Sequence, residues 1–194
     1  DPTPRLPGFR DMEVHGNWHY RDLPFSAPGA PAPAPETPNA LVILREFVDA
    51  LDEPYPLAWF LHLAGDAHQP LHAVSRFLKP DDKGDRGGND YALDHPARNL
   101  HAYWDNVVSR ENDMTAIQKV ASELLQEAPP ASSVANLHFE SWFRESFELA
   151  VSTVYKLNGP IIPEDYDKRA VRLGRERVTL AGYRLAAILN NRLQ

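Results

Sequence analysis

His62 and Asp66 stand four residues apart, and so do His101 and Asp105. On a helix that spacing brings both side chains to one face, a turn apart. Imidazole nitrogen and carboxylate oxygen are the ligands zinc takes where thiolates are absent, at about 2.0–2.2 Å, and such a pair can chelate one ion without straining the backbone. Both pairs lie among apolar residues, in LAWFLHLAGDAHQPLH and NLHAYWD. Charges buried there without partners are costly, and a metal ion removes that cost. A lone histidine on an apolar face is more often a hydrogen-bonded core residue than a ligand. Two pairs, with His72 six residues past Asp66 and a glycine-rich stretch between the segments, favour metal instead. A structural zinc site closes with four ligands. Five or more candidates from separate segments point to several ions, with positions open to water and substrate.

Helices must position these side chains, and hydrophobic period supplies them. Thr37 followed by Pro38 offers a cap and then proline in the first turn. Leu41, Leu44, Phe47, Val48 and Leu51 recur behind it, predicting a helix over 38–52. A second helix is predicted from Pro56 to about His68, ended by Pro70. Helical patterns resume over 99–110, 114–127, 133–157 with Ser133 as cap, and 166–193. The last carries Val171, Val178, Ala181, Leu185, Ile188 and Leu189 along a stripe. Five prolines between Ala27 and Asn39 predict an extended, exposed segment. Residues 79–98, rich in Gly, Asp and Pro, read as a long loop of the kind that often carries function. No strand pair or repeat is predicted. The expected architecture is all-α: one domain over 1–194, a helical bundle with long irregular loops.

Composition narrows the function classes. At 194 residues the chain can bury one large core. Apolar stretches such as Ala40–Leu44 fall far short of the roughly 20 residues a membrane span needs. Zero cysteines exclude disulfides, thiolate zinc sites and cysteine nucleophiles. The net charge of −7 argues against a broad basic surface for nucleic acid. Three divalent ions would bring it to about −1 and concentrate positive charge at one site, so an acidic chain can still bind phosphates where its metals sit.

HLAGDAHQPLHA, GDRGGND and NLHAYWD, in that order, resemble the zinc-dependent single-strand nucleases of the S1/P1 type. NWHYRD near the start and AGYRLAAILN near the end match the same family, so the resemblance spans roughly residues 17–190. It implies an all-helical fold shared with zinc-dependent phospholipase C, three zinc ions, and hydrolysis of single-stranded DNA or RNA to 5′-nucleotides, with 3′-nucleotidase activity in many members. It assigns His19 and His62 to a first, more buried zinc, and Asp66 to the carboxylate bridging that ion to a neighbour. His72, His101 and Asp105 correspond to ligands of the remaining, exposed zinc. Asp66 would also orient the nucleophile, giving it a catalytic role. Tyr20 and Asp22 match positions that stack on and hydrogen-bond a base, although packing explains Tyr20 equally well. Asn89 in the glycine turn matches a position near the substrate cleft. His15, His68, His95 and His138 match no ligand and are expected to be structural or on the surface. A monomer acting on single-stranded nucleic acid or nucleotides, secreted or periplasmic, follows from the same likeness. The lack of cysteines fits a bacterial member.

One part of the family pattern is missing. Its members begin with a Trp whose terminal amine and carbonyl bind zinc, helped by a nearby His, and a further Asp completes the first site. No Trp or His precedes His15 here, and Asp1 lies too far from His19 to stand for that Asp. Either chain ahead of Asp1 is expected, or part of the cluster has been lost. In the sequence as it stands the exposed site can be completed and the paired sites are deficient. Two other functions stay open: a zinc-dependent phospholipase C, whose exposed-zinc segment ends with Glu where this chain has Asp105, and a non-catalytic helical module that binds zinc or phosphate.

Overall fold

The computed structural model describes residues 10–11, 13–109 and 113–193. Among the described residues seven α-helices carry the fold: α1 (Ala40–Phe47), α2 (Pro54–Asp66), α3 (Leu100–Asp105), α4 (Met114–Leu124), α5 (Ala131–Ala135), α6 (Phe139–Ser152) and α7 (Glu164–Arg192). Short 3₁₀ turns at Gly16–His19, Pro70–Ala73 and Val154–Lys156 join them. No described helix is long and apolar enough to cross a membrane.

The all-α expectation holds, with a correction. Two strands, β1 (Leu23–Ser26) and β2 (Val74–Phe77), pair in parallel, Leu23 against Val74 through to Ser26 against Phe77. Each is four residues long and Pro24 lies in the first. Proline is tolerated there because β1 has only one neighbour in this two-stranded sheet.

Local chemistry also moves the predicted helix ends. Asn39, not Thr37, caps α1, its side chain accepting from Leu41 N and Val42 N. The helix predicted over 133–157 is broken: Ser133 lies inside α5, and α6 starts at Phe139. At the break the Asn136 side chain accepts from His138 N, and the Asn136 carbonyl accepts from Trp142 Nε1 at 2.8 Å. Such short-range bonds give the backbone an alternative to helix.

Two apolar cores meet where α2 ends. One gathers Leu44, Phe47, Phe60, Leu63, Ala67, Trp142 and Phe143, and the other Leu71, Val74, Leu100, Trp104, Val154 and Tyr166. The Asp66–His72 segment bridges them. The buried face of α7 differs from the predicted stripe: Val178 is exposed, while Arg177 and Arg184 are buried beside Ala181 and Ile188. Both guanidinium groups converge on Glu145 of α6, Arg177 Nη1 at 3.0 Å and Arg184 Nη1 and Nη2 at 2.8 Å. Arg177 Nε also donates to the His68 carbonyl, and Arg184 Nη1 lies 2.9 Å from His68 Nε2. Burial and the charge of Arg177 pull the His68 imidazole down to about 3, so it is neutral near pH 7. His68 is thus a structural residue, as expected, with its Nδ1 on the Ala64 carbonyl.

Candidate metal centre

The first His/Asp group is assembled by α2 and the turn before β1. His62 and Asp66 share one face of α2, and the Gly16–His19 turn brings His19 over it. His19 Nδ1 lies 2.9 Å from His62 Nε2 and 3.1 Å from Asp66 Oδ2. His62 Nε2 lies 3.1 Å from the same oxygen. Trp59 packs against both imidazoles. Trp18 lies beside it, stacked on His15 at 3.8 Å.

The second group combines the Pro70–Ala73 turn with α3. His72 Nε2 is 3.6 Å from Asp105 Oδ1, and His101 Nε2 is 3.6 Å from Asp105 Oδ2. The two rings stack with centroids 4.9 Å apart. Backbone carbonyls fix both imidazoles: His19 O lies 2.7 Å from His72 Nδ1, and Gly87 O lies 2.8 Å from His101 Nδ1. A proton on each Nδ1 leaves the Nε2 lone pairs facing Asp105, the support that metal-bound histidines usually have. Asp66 stands between the groups, its Oδ1 3.6 Å from His72 Nδ1.

Residue chemistry and spacing both fit divalent zinc. Bonds of about 2.0–2.1 Å in a tetrahedron put ligand atoms roughly 3.3 Å apart. The separations of the first group, and those from His72 and His101 to their nearer Asp105 oxygens, run from 2.9 to 3.6 Å and bracket that value. Within each group the ligand atoms all lie within 4.8 Å of one another. The carboxylates stay ionised and draw protons to two of the imidazoles: the Asp66 hydrogen bond raises the pKa of His62, and burial lowers that of His72 but the Asp105 and Asp66 contacts outweigh it. Burial raises the pKa of Asp66, but hydrogen bonds from His19 and His62 outweigh it and hold the carboxyl at about 2. Burial likewise opposes ionisation of Asp105, and the contacts of His72, His101 and Gln69 together outweigh it, lowering its pKa. Burial lowers His101, keeping its imidazole available as a neutral donor. His19, His62 and Asp66 of the first group and His72 and Asp105 of the second line one cavity of about 500 Å³, continued by Trp104, Val107, Arg177 and Val178.

All six expected ligands fall into these two groups. Tyr20 and Asp22 line a different cavity of about 550 Å³, walled by Pro31, Pro33, Phe77 and Arg86. The proline-rich segment is thus a wall of that cavity. Burial, then the charge of Asp85, push the Asp22 carboxyl up to about 7. Asn89 stands exposed at the end of the glycine turn, its side chain donating to the Arg86 carbonyl at 2.9 Å.

Sequence reasoning passed over Gly87, although GDRGGND was singled out. Its φ of +61° lies in the left-handed region, and a Cβ there would run into the Leu71 carbonyl oxygen and press on His101 Nδ1. Gly87→Ala is expected to cost about 1–3 kcal/mol of stability and to displace the carbonyl that holds His101. Thermal unfolding together with bound-metal analysis checks this; an unchanged midpoint with full metal loading would refute it.

A model of the S1/P1 nuclease family matches residues 9–194. Two proteins of Arabidopsis thaliana are similar to the chain. Endonuclease 5 is 28% identical over 153 residues, covering 69% of this chain and 49% of the relative. Endonuclease 4 is 30% identical over 154 residues, with the same 69% and 49% covered. The chain therefore spans about half the length of these relatives. The family match encloses both His/Asp groups and every element that positions them, so the chain belongs to the S1/P1 nuclease family.

Proposed function

We propose that this chain forms the metal-binding body of a zinc-dependent nuclease that hydrolyses single-stranded DNA or RNA to 5′-phosphorylated nucleotides. The observation that carries the reading is the grouping of His19, His62 and Asp66, and of His72, His101 and Asp105, with all but His101 lining one cavity. Membership of the family and the likeness to two endonucleases support it.

The first group would hold one zinc ion and the second another; the three-ion complement implied by the resemblance needs donors beyond these six. Bound zinc would lower the pKa of a coordinated water from about 15.7 toward 7 and offset charge on the phosphate. The protein's part is positional. Asp66, with an oxygen toward each group, sets their separation and orients the attacking water. His72, His101 and Asp105 would hold a zinc ion able to offset the charge on the leaving 3′-oxygen in place of a general acid. Tyr20 and Asp22 are proposed to receive an unstacked base, which explains a preference for single strands; stacking on an aromatic ring contributes about 1–3 kcal/mol. Asn89 is proposed to flank the cleft.

The test is hydrolysis of single-stranded DNA, duplex DNA and phosphatidylcholine side by side. Expected is cleavage of the single strand, abolished by EDTA and restored by zinc, with little action on the duplex or the lipid. Cleavage that persists without metal would overturn the reading, and preferential release of phosphocholine would replace it with a phospholipase.

A further inference from the structure

Gln69 lies between Asp66 and His72 in sequence and is bonded toward both ligand groups. Its backbone N–H donates to the Asp66 carbonyl at 3.0 Å, and its own carbonyl accepts from His72 N at 3.1 Å. Its side chain caps the turn that carries His72, Oε1 accepting from Leu71 N. The other end of the same amide, Nε2, donates to Asp105 Oδ1 at 2.8 Å. Asp105 is the last residue of a six-residue helix, and its side chain is 42% exposed. Apart from Gln69, its carboxylate is approached by the two histidines at 3.6 Å.

We propose that Gln69 is a positioning residue that fixes the Asp105 carboxylate against His72 and His101 and thereby sets the zinc affinity of that group. The inference rests on reading the group as a zinc site. An amide suits the position because one end must accept and the other donate. Leucine does neither, and asparagine is a methylene too short to reach Leu71 N and Asp105 together.

Titration of the metal-depleted full chain with zinc against a chromophoric chelator tests this. In Gln69→Leu, one zinc is expected to bind about 10–100-fold more weakly while the other keeps its affinity. Because Gln69 acts through Asp105, adding Gln69→Leu to Asp105→Asn should weaken binding little further. A purely structural cap would instead lower the metal-free unfolding midpoint and leave zinc affinity alone. Gln69→Asn, a milder change, should show the same selective weakening and serves if the leucine variant folds poorly. Wild-type affinity in both folded variants would overturn the proposal, as would a full additional loss in the Asp105→Asn background. Failure of the wild-type chain to take up zinc would instead remove the zinc reading, and this proposal with it.

Discussion

Asp66→Asn is expected to cut hydrolysis of single-stranded DNA by on the order of a thousandfold, with loss of metal from the first group. The replaced carboxylate is the member that both His19 and His62 contact, at 3.1 Å each, and its other oxygen faces His72. An amide of the same shape keeps the packing but lacks the charge that balances a divalent ion. Lewis-acid and nucleophile activation together are worth several kcal/mol, and each 1.4 kcal/mol of lost stabilisation is about tenfold in rate. Single-turnover cleavage with metal content measured on the same sample checks it. Full zinc loading with activity within tenfold of wild type would remove Asp66 from the proposed role.

Glu145→Ala is expected to cost about 3–5 kcal/mol of folding stability, because removing one partner strands buried charge. Here one carboxylate serves two cations. The Arg184 side chain is fully buried and that of Arg177 only 8% exposed, and Glu145 accepts three guanidinium hydrogen bonds from them. Burial raises the pKa of Glu145 but the two arginines outweigh it, so the carboxyl stays ionised. An exposed pair such as Lys168–Glu164 should contribute about 0–1 kcal/mol, since water screens it and both chains lose freedom to meet. Denaturant unfolding of the two variants, Glu145→Ala and Glu164→Ala, gives the comparison directly. Similar losses in both would contradict this account.

The legible part of the site was the part written at helical spacing. His62 with Asp66 and His101 with Asp105 meet because a helix places residues four apart on one face, which needs no knowledge of the rest of the fold. His19 entered only through likeness to a family, and His72 only by standing six residues past Asp66. Their approach depends on the β1–β2 pairing and on the Arg21 N to His72 O bond beside it, contacts between segments about fifty residues apart. Strands of only four residues, one of them carrying proline, leave no alternation to detect. Arg177 and Arg184 were missed for another reason: arginine on a long helix ordinarily faces water, and only the position of Glu145 on α6 reveals that these two do not. Gln69 was overlooked because an amide beside two histidines carries no ligand signature of its own.

Parallel pairing of β1 with β2 has a thermodynamic corollary. It encloses the proline-rich segment, α1 and α2 in one long closed loop, with His19 entering the loop and His72 leaving it. The first His/Asp group therefore cannot assemble from a local stretch of chain, and the second needs the His72 turn docked on α3. An ion that binds only the docked arrangement acts as a reversible cross-link between them. Its contribution grows with free zinc, reaching about 2.7 kcal/mol at a hundredfold excess over the dissociation constant. On the proposed zinc reading, stability would depend on metal supply as well as on packing.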